Sequence, residues 1–383
     1  MSAKCRSLSK KQKVESVEGS SVQAVVLPKV DETASFTSEE VVQIRRNLLD
    51  WYDRNHRILP WRRNKHSKRE ASARDGEGNP GAPLDLPDQQ FIYYVWVCEV
   101  MSQQTQVPRA AAYFKRWIAK WPTVQALAAA SQDEVNEVWA GLGYYRRARF
   151  LLEGAQYIQR DLGGAFPTTS QELQKIPGVG AYTGNAMASI ACNQPVAVVD
   201  ANVVRVLARL RRLSADPRSG ASVKLHALLA NALVDPDRPG DFNQAMMELG
   251  ATVCTVHQPP TCQDCPIRNQ CQAVAVVEQF VSDGGDRAAP RAPTVVQYPS
   301  KVEKAQRREE LVAVCVVELK PASGKAGVPS QYLLVQRPET GLLAGLWEFP
   351  SRAVDAGSTA KQCSQALDMY LHETLGLPIK GEM

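Results

Sequence analysis

Two carboxylates stand out by their settings. Glu99 lies inside Tyr94-Val95-Trp96-Val97-Cys98-Glu99-Val100-Met101, an apolar run of helical character. A carboxylate there loses hydration, so its pKa rises and it is protonated near neutrality, as a general acid must be. On helix chemistry alone, a glutamate on the one wet stripe of that helix is the stronger reading. Asp200 closes Val198-Val199-Asp200 and directly precedes a predicted helix, where it can serve as N-cap. Capping favours the ionised carboxylate. An anionic aspartate facing a protonated glutamate is the split pair suited to a cationic transition state beside a departing group.

Ile176-Pro177-Gly178-Val179-Gly180-Ala181-Tyr182-Thr183 predicts helix, tight turn, helix. Gly178 and Gly180 allow positive φ, and the turn opens on a helix start whose free N–H groups suit a phosphate. Taken alone, a glycine-rich connector between two core helices explains these residues as well. Four of the nine cysteines read Cys254-x7-Cys262-x2-Cys265-x5-Cys271. With no apolar h-region at the start of the chain, so tight a cluster argues for metal rather than disulfides, and zinc and an iron–sulfur cluster both fit the spacing. Gln103-Gln104 and Tyr144-Tyr145 follow predicted helices. Gln can bond base edges and Tyr can stack or wedge, though singly each is more often ordinary surface or core.

The elements that must position these groups are helical. A capping box from Thr37 to Glu40 opens a helix with Val41, Ile44, Leu48 and Trp51 on one face, and a second box joins Ser131 to Glu134. Further helices are predicted at 91–102, 108–120, 124–129, 132–140, 147–160, 171–175, 181–192, 201–213, 222–233 and 242–252. Residues 62–88 form a surface insertion, 1–36 a disordered tail and 273–309 a linker. β-rich segments at 311–319 and 332–336 begin an α/β unit over 310–383.

The formal net charge of +5 is mildly basic, fitting a nucleic-acid partner without requiring one. No apolar run is long enough to span a bilayer. Lys10-Lys11-Gln12-Lys13 fits a nuclear signal or, more simply, a solvated tail.

Leu59-Pro60-Trp61-Arg62, the run Val95-Trp96-Val97-Cys98-Glu99-Val100-Met101-Ser102-Gln103-Gln104-Thr105-Gln106-Val107, Gly141-Leu142-Gly143-Tyr144-Tyr145, the glycine hairpin, Phe242-Asn243-Gln244-Ala245-Met246-Met247-Glu248-Leu249-Gly250 and the cysteine cluster occur in that order. Together they closely resemble the MutY-type adenine DNA glycosylases of the helix–hairpin–helix superfamily. The resemblance implies a mainly α protein: an all-helical glycosylase domain over 37–272 with a four-cysteine cluster loop, then an incomplete α/β Nudix-like domain. It implies a monomer acting on double-stranded DNA that carries adenine opposite 8-oxoguanine or guanine, in the nucleus or also the mitochondrion. By the family's pattern Glu99 protonates N7 of the flipped adenine and Asp200 stabilises the oxocarbenium-like sugar. Tyr182 and Asn202 hold that site together. Gln104 and Tyr144 wedge into the duplex, with Gly178, Val179, Gly180 and Arg62 also on DNA. Cys254, Cys262, Cys265 and Cys271 would hold a [4Fe–4S] cluster. Endonuclease III relatives place a Schiff-base lysine where this chain has Tyr182, so strand cleavage is not expected. The chain departs from the family pattern at the first cysteine gap, at Ser102, at Ala201 and at Gly184-Asn185. These departures keep open a second reading, a DNA-binding protein with reduced or lost chemistry. The Nudix hydrolase box is absent, with Met369-Tyr370 and Glu373-Thr374 where its carboxylates would fall.

Overall fold

The computed structural model describes residues 35–69, 81–256, 258–290, 292–301, 309–319, 331–338, 341 and 343–376. The basic tail before residue 35 and the centre of the 62–88 insertion lie outside them.

Helix α1 (Ser38–Asn55) starts at the expected capping box: the Thr37 hydroxyl accepts from the Glu40 N–H at 3.1 Å, and the Glu40 carboxylate accepts from the Thr37 N–H at 2.9 Å. It is followed by α2 (Asp88–Ser102), α3 (Val107–Lys120), α4 (Val124–Ala128), α5 (Gln132–Trp139), α6 (Arg146–Asp161), α7 (Ser170–Leu173) and α8 (Ala181–Cys192). Then come α9 (Ala201–Leu210), α10 (Gly220–Leu233), α11 (Pro239–Thr252) and α12 (Gln272–Ser282). Strands β1 (Leu311–Val314), β2 (Glu318–Leu319), β3 (Gln331–Tyr332), β4 (Val335–Gln336), β5 (Trp347–Glu348) and β6 (Ser351–Val354) precede α13 (Ala360–Leu375). Helix α9 ends three residues before its predicted limit because Arg212 turns into the left-handed region at φ 54°. The segment expected as a linker over 273–309 opens with α12, whose Ala273 and Val274 are buried.

The helices pack around two cores. The first joins α2 to α8 on the fully buried Trp96, Trp117, Trp139 and Phe114. Its inward polar atoms are satisfied: Trp117 Nε1 donates to Tyr93 Oη at 2.9 Å, and that hydroxyl donates to the Trp121 carbonyl at 3.0 Å. The second core joins α1 to α9, α10 and α11 through Ile44, Leu48, Leu207, Phe242 and Leu249. Helix α1 thus belongs with helices far along the chain. Arg45 fixes it there by donating to the carbonyls of Leu233 and Val234 at the end of α10, at 3.0 and 2.7 Å.

Beyond residue 309 the described strands form three antiparallel ribbons, β1 with β6, β2 with β3 and β4 with β5. Helix α13 packs on β1 and β6, burying Ala313 and Leu371. Val312, Val314, Tyr332 and Trp347 remain exposed. No helix among the described residues is long and apolar enough to cross a membrane.

Candidate active site

Helix α2 is buried without a break from Val95 to Met101, so Glu99 has no wet stripe to occupy; the residue is 9% exposed. This overturns the bland reading of its position. Tyr182, the second residue of α8, donates a hydrogen bond from its phenol to Glu99 Oε2 at 2.7 Å, and the phenol oxygen lies 3.8 Å from Met247 Sδ. Burial pushes the Glu99 carboxyl up to about 7; the Tyr182 bond and the Arg62 charge oppose this, while Asp200 reinforces it.

Asp200 is the N-cap of α9. Its Oδ1 accepts from the Val203 N–H at 2.8 Å and its Oδ2 from Asn202 Nδ2 at 2.7 Å. The cap was expected to dominate its ionisation. Instead burial raises its pKa, opposed by these bonds and by Arg205. The two carboxyls still differ in kind: Asp200 is ringed by N–H donors that favour the anion, whereas Glu99 accepts from a single phenol. Asn202 is itself fixed by Arg205, whose Nη2 donates to Asn202 Oδ1 at 2.8 Å and to the Gly250 carbonyl at 2.7 Å. A Cβ at Gly250 would lie 2.6 Å from the Asn202 Cβ, so α11 can cross α9 this closely only with glycine there.

Arg62 was expected to face DNA. It does not: its side chain is 9% exposed and its Nη2 pairs with Glu248 at 2.8 Å. Glu248, 1% exposed, also binds Arg57 at 2.7 Å. Solvating a guanidinium beside the apolar α2 was not available, so a buried carboxylate satisfies it instead. Its charge reaches Glu99 from behind.

The glycine hairpin forms as predicted at Gly178, with φ 78°, where a Cβ would meet Phe150 Cβ of α6 at 2.4 Å. Gly180 departs from expectation. Its φ is −89°, an extended N-cap for α8 with no side-chain cap. Val179 serves the turn from inside, its N–H bonded to the Ile176 carbonyl at 3.0 Å and its side chain buried. Among the described residues no acceptor binds the N–H of Gly178 or Gly180, which leaves these amides and the α8 start open to an anion. Gln104 and Tyr144 are both exposed, Tyr144 by 64%, and both hold left-handed backbone at φ 53° and 49°. Gln103, next to Gln104, and Arg147, three residues after Tyr144, line one pocket with Phe150 and with Pro177 and Gly178 of the hairpin.

Four thiols, those of Cys254, Cys262, Cys265 and Cys271, line a loop packed against the second core. Burial pushes Cys265 up to about 12 and Cys271 up to about 11, with Cys254 and Cys262 adding to the shift in each. Among the described residues no group of three His, Cys, Asp or Glu side chains is drawn close enough to hold a single metal ion. Four thiols in one loop are a donor set that suits either zinc or an iron–sulfur cluster. Arg209 Nη1 donates to Cys254 Sγ at 3.1 Å, and Arg205 Nε to the Cys254 carbonyl at 2.7 Å. Cationic donors of this kind suit an anionic cluster.

Sequence reasoning missed Arg147, Arg205 and the ion-pair role of Glu248. Asn185, one of the departures from the family pattern, is satisfied: it donates to the Ala197 carbonyl at 2.9 Å and accepts from the Ser170 hydroxyl at 2.5 Å. It anchors the segment leading to Asp200.

Residues 97–229 match the model of the HhH-GPD superfamily base excision DNA repair proteins. The chain is 44% identical to an Arabidopsis thaliana adenine DNA glycosylase over 88% of its length and 52% of that protein. It is 46% identical to a Homo sapiens adenine DNA glycosylase over 82% of its length and 58% of that protein. Against the Schizosaccharomyces pombe adenine DNA glycosylase it is 37% identical over 83% of its length and 71% of that protein. It therefore spans about half to two thirds of the length of the first curated relatives. A solved thermostable thymine-DNA glycosylase shares the fold, with a TM-score of 0.50 at 21% identity, covering 62% of this chain and 97% of that one.

Proposed function

This chain belongs to the adenine DNA glycosylase family of the helix–hairpin–helix superfamily, and from that premise we propose that it hydrolyses the N-glycosidic bond of adenine mispaired with 8-oxoguanine or guanine in double-stranded DNA. The observation that carries this reading is Glu99, a carboxyl kept protonated near neutrality by burial and oriented by Tyr182. The target nucleotide must leave the stack, because its glycosidic bond is inaccessible in the duplex. Glu99 gives its proton to N7 of the flipped adenine. The C1′–N9 bond then breaks, its electron pair passing to the purine. The Asp200 anion faces the developing oxocarbenium, and water adds to C1′ while giving up a proton to the Glu99 carboxylate, which leaves an abasic sugar and restores the acid. Asn202 and Arg205 hold Asp200 in place. The amides at Gly178, Gly180 and the α8 start take a backbone phosphate, and Gln104 and Tyr144 enter the duplex. Tyr182 cannot form an imine, so the strand stays intact. Cys254, Cys262, Cys265 and Cys271 would hold a [4Fe–4S] cluster, which when bound supplies a metal crosslink across their loop.

The test is single-turnover release of adenine from a duplex with adenine opposite 8-oxoguanine. The chain should release adenine without nicking, and borohydride should trap no adduct. Glu99→Gln should bind the duplex and release nothing. Near-normal release by that variant, or none by the native chain, sinks the reading.

A further inference from the structure

Gln104 and Tyr144 sit on different loops, one after α2 and one before α6, and a single buried cation joins them. Arg147 lies in the first turn of α6 and is 8% exposed. Its Nη1 donates to the carbonyls of Val100 and Met101 at 3.0 Å each and of Gln103 at 2.5 Å. Its Nη2 donates to the Gly143 carbonyl at 3.1 Å. The Thr105 hydroxyl lies 3.4 and 3.5 Å from the two nitrogens. The guanidinium also sits 5.4 Å from the Tyr144 ring centre and 5.2 Å from that of Trp139.

This placement has a physical reason. A cation in the first turn of a helix stands at the unfavourable end of that helix's dipole. Arg147 is compensated by the other helix: Val100 and Met101 belong to the last turn of α2, whose carbonyls have no intrahelical partner. The planar fork divides its two nitrogens between two loops, which a lysine ammonium, a single point of charge, cannot do. Both loops also hold non-glycine residues at positive φ, a conformation that persists only where surrounding contacts enforce it. Arg147 supplies such contacts on the residues immediately before each, Gln103 and Gly143.

We infer that Arg147 is a positioning residue that binds Gln104 and Tyr144 into one rigid wedge, so that the two loops act on the duplex as a single body. The inference rests on the proposed extrusion of adenine. It gives Arg147 a part in unstacking the base rather than in breaking the bond.

The experiment uses the full chain and a duplex with adenine opposite 8-oxoguanine, with 2-aminopurine beside the mispair as a fluorescent reporter of unstacking. Arg147→Lys should slow the brightening and adenine release together, by roughly tenfold to a hundredfold, the penalty of a small misplacement. Its affinity for the abasic product duplex and its alkaline pH limit should match the native chain. A merely structural role would lower the melting temperature and leave the brightening rate of the folded fraction unchanged. In the chain that keeps Arg147, Gln104→Ala and Tyr144→Ala should be strongly non-additive in the brightening rate. That cycle decides the matter even if Arg147→Lys fails to fold. Additive effects, or native brightening by folded Arg147→Lys, overturn the inference while leaving the proposed activity standing. A native chain that neither brightens the reporter nor releases adenine overturns both.

Discussion

The phenol of Tyr182 donates to Glu99 Oε2 at 2.7 Å from the second residue of α8. The helix start whose amides are open to a phosphate therefore also carries the group that orients the acid. In the proposed mechanism, gripping the DNA backbone and aiming the proton donor are tasks of one helical turn.

Tyr182→Phe should shift the alkaline limb of the pH–rate profile upward. The phenol bond lowers the Glu99 pKa, so its loss lets the carboxyl stay protonated beyond about 7. The plateau rate should fall about tenfold because the carboxyl is no longer held in one rotamer. Single-turnover rates from pH 5 to 9 check this. An unmoved limb would show that the bond does not tune the acid.

Glu99→Gln should separate activity from stability. A folded pKa of about 7 against an ordinary 4.5 means stability is fully present below 4.5 and lost as the pH rises through 7. The accumulated loss is on the order of 3 kcal/mol above pH 8. The glutamine variant lacks this titration. Its melting temperature should exceed that of the native chain at pH 8 and approach it at pH 4.5. Parallel melting curves across that range would refute the buried, protonated carboxyl.

Glu248→Gln should be strongly destabilising. Arg57 and Arg62 hold the Glu248 carboxyl down to about 2, so its contribution is present above 4.5 and lost as the pH falls through about 2. Removing its charge leaves the Arg62 guanidinium buried and uncompensated, at about 3–5 kcal/mol. Urea unfolding at pH 7 measures it. Pairing the change with Arg62→Met should recover part of the loss, and failure to do so would argue against a direct pair.

The parts of this molecule that were legible in its sequence are those whose signals are local. Thr37 with Glu40 and Ser131 with Glu134 form the capping boxes their spacing announced. Glu99 and Asp200 were singled out by an apolar run and a helix start, both short-range features. Helix chemistry alone favoured a wet stripe for Glu99, however, and its role as acid came from the resemblance. Arg62 was misplaced because its partner lies 186 residues away and nothing beside Trp61 points to it. Arg147 was missed for a related reason: among Arg146, Arg147 and Arg149 only the fold decides which one turns inward. Gly180 shows that glycine permits positive φ without demanding it.

Metal analysis of anaerobically handled protein should find about four iron and four sulfide per chain. Cys265→Ser should lower the melting temperature and DNA affinity without moving the pH limb set by Glu99, since its loop contacts the second core and not α2. One zinc and no sulfide would replace the cluster by a structural zinc site.

Limited proteolysis should cut first beyond residue 309. The described ribbons there are two-stranded and leave Val312, Val314, Tyr332 and Trp347 exposed, whereas the two helical cores are closed. Mass spectrometry of early fragments checks the order, and first cuts within α2 to α11 would contradict it.

The placement of α1 bears on how the chain acquires its chemistry during synthesis. The first core draws on residues 59–196 and can close as soon as they emerge from the ribosome, while α1 must wait for α9 to α11. Glu99 belongs to the early lobe and Asp200 to the late one. The two carboxyls thus become neighbours only when the late lobe docks, so the nascent chain would hold a folded half before it holds the proposed catalytic pair. Cys254, Cys265 and Cys271 pack on the late lobe, so the proposed cluster would be taken up in the same final stage.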